Sequence, residues 1–568
     1  MVSFPRQLKG NSQTGRILAG ALIGIAAGAT AILFFKSIQT GFESLYGWVR
    51  TLPLWAAGLI SLSAILGATR IASWLTLRWA PIAAGSGVSQ MKLIYWRDQG
   101  IIPWKATVAK FLACGLGLAA GIGLGRRGPS VFICSGIASL VAEFLKVSPS
   151  DRKNACAAGA AAGLAASFNT PLAAVTFFLE EVLGDLNSRR LGIVLLASVM
   201  GAAILHVTIG DEAAYPMADI RTFPLRLFLP AMAVAVVSSF VGIVFMKSIL
   251  KLREFSARWK SLPYWLYPMT GAFLGWAIAF STYCFLNTTG LFGTGDPELN
   301  RILGGDVELS VVWILLACKL ISVCLFYGTG GCGGIFGPLI FLGGASGYAV
   351  GGTLAAIFNL SPDTAVAMAA VGMSTCFSCV VRAPITGILM LFEMTHSFTL
   401  LPPLMICTLI SQAIGSKWTR NNIYDALLIQ SGNDPMRHIP ARDFDQWHRR
   451  PIATLANLKP VTLSSLEPDH IRHTLENHSY GNFPLITNGL PTGIFSRQDL
   501  VRSLKSDESP TPVPPVTVNP ATSIRDTQSR MLEANANFVL IVDSAKGRLL
   551  GVITLHDLLR AELNRPNA

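Results

Sequence analysis

Long apolar runs constrain the fold of this chain more than any other feature. They span residues 17–35, 53–69, 191–205, 227–246 and 263–280. Each run approaches the length of about 20 residues that a helix needs to cross a hydrocarbon core. Of 568 residues, 51% are hydrophobic and only 14% are charged, which is far from the balance of a soluble globular protein. The sequence therefore predicts an α-helical, multi-pass membrane protein.

Basic residues beside these runs predict the orientation of the chain. Three precede the first run, which lacks the small-residue cleavage site of a signal peptide: Arg6, Lys9 and Arg16. Six follow a last run near 399–415: Lys417, Arg420, Arg437, Arg442, Arg449 and Arg450. Because Lys and Arg favour cytoplasmic loops, we expect both termini in the cytoplasm and an even number of crossings. We expect a cytoplasmic segment at 1–16 and a membrane domain at 17–418, in a bacterial inner membrane.

Charge and cysteine usage exclude several classes of function. The net charge of +13 is explained by basic cytoplasmic loops and does not require a nucleic-acid partner. All ten cysteines lie between Cys114 and Cys407, and the C-x-x-C of Cys376 and Cys379 lacks a second pair to complete a metal site. We interpret these cysteines as small packing residues. No nucleophile with a base, paired metal ligands or phosphate loop is recognisable, so we expect neither an enzyme nor a required cofactor.

A soluble domain is expected at 451–568, after a linker at 419–450. Two β-rich units, NFPLITNGLPTGIFSRQDL from Asn482 and NFVLIVDSAKGRLLGVITLHDL from Asn537, each end in a helix and predict a pseudo-twofold α/β pair. The units resemble tandem CBS domains. That resemblance implies that a hydroxyl and a carboxylate in each unit hold an adenine nucleotide, at Ser496, Asp499, Thr554 and Asp557. In the alternative, the two aspartates only cap the helices that follow.

The membrane part carries a second, weaker repeat. Gly125 to Pro129 is followed by Pro171, and Gly334 to Pro338 is followed by Pro384 at a similar distance. Repeated halves with Gly- and Pro-interrupted apolar segments are typical of transporters whose binding site lies at the membrane midplane. A helix that begins inside the membrane presents free N–H groups and the positive end of its dipole, which suits an anion. The sequence therefore predicts an anion site between two halves.

Three Gly-rich motifs precede apolar helical sequence: GSGVSQ at 85–90, GRRGP at 125–129 and GGIFGP at 333–338. On these motifs the chain resembles the CLC family of chloride channels and chloride/proton antiporters, over about 17–425. The resemblance implies a homodimer of two inverted-repeat subunits with tilted and broken helices, each with its own anion path. The motif positions expected to line that path are Gly85, Gly87, Gly125, Arg126, Gly128, Pro129, Gly334, Gly337 and Pro338.

The resemblance also implies the anion ligands. Ser86 and Tyr424 would offer hydroxyl groups, and Ile335 and Phe336 would offer backbone N–H groups. Neutral donors replace part of the water shell of chloride without holding the ion too tightly. Alternatively, Ser86 caps a helix and Tyr424 anchors the chain at the membrane interface. Ser86 favours chloride over nitrate and fluoride, although Ser89 and Gln90 depart from the family's usual GSGIPE.

Arg127 occupies the position where the family usually carries a gating glutamate. Arginine does not deprotonate in proteins, so stoichiometric proton exchange should be lost. A guanidinium about 4 Å from chloride would attract it by about 4 kcal/mol at an effective dielectric near 20, which would trap the ion. Conduction therefore favours an Arg127 that points into the outer vestibule. Alternatively, Arg127 pairs with an acid and is only structural, or it plugs the path. We expect Arg126 to be structural.

Two adjacent glutamates differ in their relation to the repeat. Glu180 and Glu393 lie nine residues after Pro171 and Pro384, which predicts a shared structural role such as satisfying buried N–H groups. Glu181 has no counterpart and matches the family's internal proton glutamate. We expect it to be a solvated cytoplasmic remnant or a site of pH modulation.

The sequence thus predicts a passive, chloride-selective channel, dimeric in a lipid bilayer and uncoupled from protons, with nucleotide regulation at the CBS pair. The alternatives are a chloride/proton antiporter that uses another outer proton group, and a membrane nucleotide sensor whose pore is plugged.

Overall fold

The computed structural model describes residues 13–147, 149–184, 191–210, 214–217, 223–258, 263, 265–361, 363–433, 450–506, 509–543 and 547–563. The chain divides into two compact units, Met1–Ile439 and Pro440–Ala568. The first unit is helical, and the second combines helices with two small sheets. The predicted fold class is thereby confirmed.

The described part of the first unit contains seventeen α-helices. They are α1 Gln13–Val49, α2 Leu54–Trp74, α3 Val88–Arg97, α4 Trp104–Ala119, α5 Arg127–Phe144, α6 Pro149–Phe168, α7 Pro171–Phe177, α8 Leu191–Thr208, α9 Phe228–Arg258, α10 Tyr267–Leu286, α11 Asp296–Leu303, α12 Leu309–Gly328, α13 Phe336–Phe358, α14 Asp363–Val381, α15 Pro384–Thr395, α16 Leu401–Trp418 and α17 Ile423–Gln430. Wider turns continue α2 through Leu75–Trp79 and α7 through Phe178–Leu183, and short 3₁₀ turns lie at Pro81–Ala83, Leu225–Leu227 and Phe398–Leu400.

Helix length separates two groups within this unit. Among the described residues, eight helical stretches are long and apolar enough to cross a membrane. Others, such as α3, α7 and α11, have ten residues or fewer and are too short to span it. A helix end inside the unit leaves backbone N–H or C=O groups that need partners. The site described below is built from such ends.

The best-buried pair of helices is α13 and α14. Every residue of α14 from Thr364 to Val381 is buried, and only Asp363 at its start is exposed. A Cβ on Gly347 would lie 2.3 Å from the carbonyl oxygen of Met368, and one on Gly372 would lie 2.2 Å from that of Gly343. Glycine is therefore required where the two backbones touch, which is how helices associate without a hydrophobic driving force in lipid.

The second unit contains the two predicted ββα repeats. Its helices are α18 Pro468–Asn477, α19 Arg497–Ser506, α20 Ile524–Glu533 and α21 Leu555–Leu563, with a 3₁₀ turn at Ile452–Thr454. Its strands are β1 Asn482–Thr487, β2 Leu490–Ser496, β3 Thr517–Val518, β4 Phe538–Val542 and β5 Leu549–Thr554. β1 and β2 pair antiparallel, as do β4 and β5, and β3 joins β4 in parallel. Each repeat has its own core, centred on Phe483 in the first and Val539 in the second.

Candidate functional site

The three Gly-rich motifs meet inside the first unit. Gly125 and Gly334 exchange two backbone hydrogen bonds, of 2.7 and 2.8 Å, immediately before α5 and α13 begin. The N–H of Gly333 donates to the carbonyl oxygen of Gly85 at 3.3 Å. A Cβ on Gly87 would lie 2.4 Å from the carbonyl oxygen of Gly128, so that crossing admits only glycine. The two repeated halves therefore join at equivalent positions of their motifs.

The motif prolines begin their helices as expected. Pro129 and Pro338 lie in the first turns of α5 and α13, where an N–H would lack an intrahelical acceptor anyway. Gly128 lies against the carbonyl oxygen of Ser86, and Gly337 lies against the backbone of Gly125. These approaches explain the two glycines by packing. They also bring the N-terminal ends of α5 and α13 together.

The structure brings the four predicted anion ligands into this region. Ser86 is fully buried in the turn before α3, and its hydroxyl lies 3.3 Å from that of Ser89. Ile335 and Phe336 are buried at the start of α13, where first-turn N–H groups have no acceptor within the helix. Tyr424 is 1% exposed on α17, and its hydroxyl has no hydrogen-bond partner among the described residues. An unsatisfied buried hydroxyl is costly, which suits a ligand that the chain itself does not supply.

Aromatic side chains connect this region to the gate position. The ring of Tyr424 lies 6.4 Å from that of Phe177, which lies 5.8 Å from Phe336. Phe336 in turn lies 5.2 Å from Phe168, and the guanidinium of Arg127 lies 3.9 Å above the Phe168 ring. Residues from α6, α7, α13 and α17 therefore form one continuous line between Tyr424 and Arg127.

Arg127 does not point freely into an outer vestibule, so that expectation is wrong. Its side chain is 3% exposed, and its Nη2 lies 3.2 Å from Oδ1 of Asp296 and donates to the hydroxyl of Tyr215 at 2.5 Å. The Tyr215 hydroxyl donates in turn to Asp296 at 2.7 Å. The observed contact matches the alternative stated from the sequence, in which Arg127 pairs with an acid. A buried charge needs such a partner, because desolvation otherwise disfavours it strongly.

Arg126 contacts the same carboxylate from farther away. Its Nε lies 3.8 Å from Oδ2 of Asp296, and its guanidinium lies 3.7 Å from the Phe35 ring. Arg126, Arg127 and Asp296 line a cavity of about 1160 Å³, into which the Asp296 side chain is 23% exposed. A second cavity, of about 860 Å³, is lined by Gly85, Cys332 and Leu428. A Cβ on Gly337 would lie 3.4 Å from Nη1 of Arg127, so the guanidinium lies beside the first turn of α13 as well as beside the first cavity.

Glu181 is not solvated, so the expectation of a solvated remnant is wrong, whereas a role in pH modulation stays a prediction. Its side chain is 2% exposed, its Oε1 lies 3.0 Å from Nζ of Lys92, and its Oε2 accepts a 2.9 Å hydrogen bond from Asn422. The same Lys92 lies 2.6 Å from Asp425. The Asn422 side chain also caps α17 by accepting from the N–H of Asp425 at 2.7 Å. The helix that carries Tyr424 is thus attached to the buried Glu181.

The structural role predicted for Glu180 and Glu393 is confirmed. Glu393 accepts from the N–H groups of Leu172 and Ala173, at 2.9 and 2.8 Å. Glu180 accepts from the N–H groups of Ile385 and Thr386, at 3.1 and 2.8 Å. Each glutamate therefore satisfies the first turn of the helix that carries the other one, as a carboxylate at a helix N-terminus does.

Sequence reasoning missed two buried lysines that support the motif loops. Nζ of Lys110 donates to the carbonyl oxygens of Ala83 and Gly85, at 2.9 and 2.6 Å. Lys319 reaches the carbonyl oxygens of Leu291 and Gly293 more loosely, at 3.3 and 3.5 Å. Each lysine lies seventeen residues before the first residue of its motif helix, α5 or α13, so the repeat could have revealed them.

Other partners gave no such signal. Asp296 begins α11, Tyr215 lies in a short described segment between α8 and α9, and Lys92 lies on α3. Each is far in sequence from the residue that it pairs with. Nothing in their neighbouring residues marks them, so only the folded structure identifies them.

The predicted nucleotide residues form two helix caps. The Ser496 hydroxyl accepts from the N–H of Asp499 at 3.1 Å and donates to its carboxylate at 2.7 Å. Thr554 and Asp557 repeat both contacts, at 3.1 and 2.7 Å, and the Thr554 N–H also donates to Asp557 at 3.0 Å. The alternative that the aspartates cap the helices is therefore wrong in one respect, because the hydroxyl residues are the N-caps and the aspartates lie in the first turns.

Two family profiles match this chain. The one described as "Voltage gated chloride channel" matches residues 68–416, and the one described as "CBS domain" matches residues 510–564. A curated relative, the H(+)/Cl(-) exchange transporter ClcA of Vibrio parahaemolyticus serotype O3:K6, is 28% identical over 439 residues. The match covers 76% of this chain and 92% of the relative.

Solved structures show the same fold. A slow cyanobacterial Cl⁻/H⁺ antiporter superposes with a TM-score of 0.66 at 23% identity, and covers 76% of this chain and 99% of its own. A eukaryotic CLC transporter superposes with a TM-score of 0.61 at 19% identity, over 95% of this chain and 97% of its own. At these identities the likeness concerns the fold alone.

Proposed function

This chain belongs to the CLC family of voltage gated chloride channels, and from that premise we propose that it lets chloride cross a membrane without exchanging it for protons. Anion transport through an integral, multi-pass membrane protein follows from membership. Chloride selectivity is supported by Ser86, Ile335, Phe336 and Tyr424, which offer only neutral donors.

One observation carries the uncoupled mode, namely the buried pair of Arg127 and Asp296 at 3.2 Å. A proton carrier must be able to lose its proton, and arginine does not. A guanidinium without a partner would trap chloride. In this pair the carboxylate of Asp296 offsets most of the positive charge of Arg127, so chloride is attracted less strongly. Arg127 thereby attracts anions weakly and has no proton to exchange.

The inner glutamate lacks a titratable counterpart at residue 127. Glu181 lies 3.0 Å from the ammonium of Lys92 and accepts from Asn422 at 2.9 Å. A proton route needs a group at each end that can take up and release a proton, and Arg127 does not release its proton.

The names of the relatives favour a second candidate, chloride/proton exchange, more than they favour an uncoupled channel. The curated relative is an H(+)/Cl(-) exchange transporter. In this chain Asp296 would then be the outer proton group, because it is the carboxylate beside Arg127 and reaches the cavity of about 1160 Å³. Glu181 would be the inner one.

Paired recording of chloride and protons distinguishes these candidates. Proteoliposomes loaded with chloride are diluted into low chloride, with and without valinomycin, while a chloride electrode and a pH electrode record together. Efflux that requires valinomycin and moves no protons supports the proposal. Protons driven against their gradient by chloride, and lost in Asp296→Asn, would establish exchange and overturn it. Silence that Arg127→Ala relieves would show that Arg127 seals the path.

The remaining features of the proposal concern assembly and regulation. We propose a homodimer with both termini in the cytoplasm of a bacterial inner membrane, a membrane domain at 17–418 and a CBS pair at 451–568. Adenine nucleotide would bind the pair by displacing the capping contacts of Ser496 and Thr554. Calorimetry with ATP and the full chain tests this: unaltered heats at millimolar nucleotide would reject regulation at these residues.

A further inference from the structure

We propose that Cys114 and Cys332 form a redox-modified pair, which hydrogen peroxide or an organic hydroperoxide converts to a disulfide across the two halves of the membrane unit. The two sulfur atoms lie 3.4 Å apart, within contact distance and about 1.4 Å from a bond length of about 2.05 Å. Cys114 lies on α4 of the first half, and Cys332 lies four residues before α13 of the second half. Neither the fold nor the proposed function requires two thiols at this point.

An oxidant can reach one of the two sulfurs. Cys332 is partly exposed and lines the cavity of about 860 Å³, together with Gly85 and Leu428. Cys114 is fully buried behind it. A small neutral peroxide therefore meets Cys332 first, and Cys114 acts as the resolving thiol.

Lys110 lies where it activates Cys332. Its Nζ lies 3.6 Å from Sγ of Cys332 and is fixed by the carbonyl oxygens of Ala83 and Gly85. An ammonium next to a thiol stabilises the thiolate, which is the reactive form. Cys284 offers a comparison among the other cysteines. It is exposed to oxidants, but the described structure gives no contact between its sulfur and a cation.

The reaction balances in two steps. The Cys332 thiolate attacks one peroxide oxygen and the O–O bond breaks, so that Cys332 becomes a sulfenic acid. The other oxygen takes up the proton that the thiol released, and it leaves as water from hydrogen peroxide or as an alcohol from an organic hydroperoxide. The Cys114 sulfur then attacks the sulfenic sulfur, the S–O bond breaks, and the oxygen leaves as water with the thiol proton of Cys114. Peroxide is reduced by two electrons, and the two thiols are oxidised to one disulfide.

The disulfide would alter the anion site. Cys332 precedes Gly333, whose N–H donates to Gly85, and Gly334, which pairs with Gly125. Closing the sulfurs to bonding distance displaces this backbone and removes the sulfur contact of Lys110. Since Lys110 also holds the carbonyl oxygen of Gly85, the turn that presents Ser86 moves with it. We therefore expect oxidation to lower anion flux.

The test uses the full chain in proteoliposomes treated with hydrogen peroxide. Peptide mapping by mass spectrometry without reduction should find Cys114 linked to Cys332, and chloride efflux should fall by most of its initial rate and recover with dithiothreitol. Cys114→Ala and Cys332→Ser should each keep their efflux under peroxide, whereas Cys284→Ser, the matched control, should lose it as the parent does.

Peptide mapping tests whether the disulfide forms, and the efflux assay tests whether it affects transport. Free thiols at both positions, under peroxide that oxidises Cys284, would overturn the pair whatever the flux. An intact disulfide with unchanged efflux would overturn its effect on the anion site. Because mapping needs no transport, it remains informative even when the proposed chloride flux is absent.

Discussion

Replacing Asp296 by asparagine is expected to tighten chloride binding. The carboxylate of Asp296 lies 3.2 Å from the guanidinium of Arg127 and 3.8 Å from that of Arg126. Asparagine keeps the shape and can still contact Tyr215, but it removes the charge that offsets Arg127. The guanidinium then acts on a nearby anion without compensation.

The size of the effect follows from Coulomb's law for a chloride placed about 6 Å from the guanidinium of Arg127, on the side away from Asp296. At an effective dielectric of about 20, a chloride about 6 Å from the guanidinium is attracted by about 3 kcal/mol, and a carboxylate about 9 Å away repels it by about 2 kcal/mol. Removing the repulsion tightens binding by at most about twentyfold to thirtyfold. Because Asp296 is 23% exposed, solvent screening lowers the expected gain to about tenfold. Chloride that binds more tightly also leaves more slowly, so turnover should fall.

Calorimetric titration of chloride into purified protein measures the affinity, and the efflux assay measures the turnover. Asp306→Asn is the matched control, because Asp306 is exposed and has no ion pair with Arg127 or Arg126 in the described structure. Adding Arg127→Gln to Asp296→Asn should return the affinity towards that of the parent, since both charges are then gone. A folded Asp296→Asn protein with unchanged or weaker chloride affinity would refute the reasoning.

Three further predictions concern other buried groups. Tyr424→Phe should weaken chloride binding about fivefold, or about 1 kcal/mol, without lowering the melting temperature, because its hydroxyl has no described partner. The control Tyr46→Phe loses a 3.1 Å bond to Ala120, so it should lower the melting temperature and leave chloride affinity unchanged. Equal effects of the two variants on chloride affinity would contradict the assignment of Tyr424. Lys92→Met should destabilise the fold by about 3–5 kcal/mol by leaving Glu181 and Asp425 unpaired, and adding Glu181→Gln should recover part of that loss in thermal unfolding. Glu393→Gln and Glu180→Gln should each lower the free energy of unfolding by about 1–3 kcal/mol, because each glutamate caps the helix that carries the other. The melting temperature should fall by similar amounts in both variants, and an unchanged melting temperature in one of them would contradict the shared role.

Local sequence was sufficient to predict the fold and the anion motifs. Apolar runs and Gly-rich helix starts can be recognised from a few consecutive residues, because helix formation and tight turns depend on residues that are neighbours in the chain. The repeat also predicted one relation between distant residues, the shared role of Glu180 and Glu393, which their contacts confirm. It would also have paired Lys110 with Lys319.

Charge compensation could not be predicted in the same way. The sequence indicated that residue 127 is a permanent cation, and this led to the wrong expectation that its side chain points into an outer vestibule without an acidic partner. It also indicated a carboxylate at Glu181, which led to the wrong expectation of a solvated one. In both cases the outcome depended on a partner from a distant element, Asp296 on α11 or Lys92 on α3.

The sequence by itself determined that this chain is a membrane protein of two repeated halves, with Gly-rich motifs before its helices and a permanent cation at residue 127. Only the tertiary structure decided how the buried charges are balanced. The physical reason is that hydrophobicity and backbone geometry are local properties of the chain, whereas the state of a buried ion is set by whichever opposite charge the fold places within about 4 Å of it.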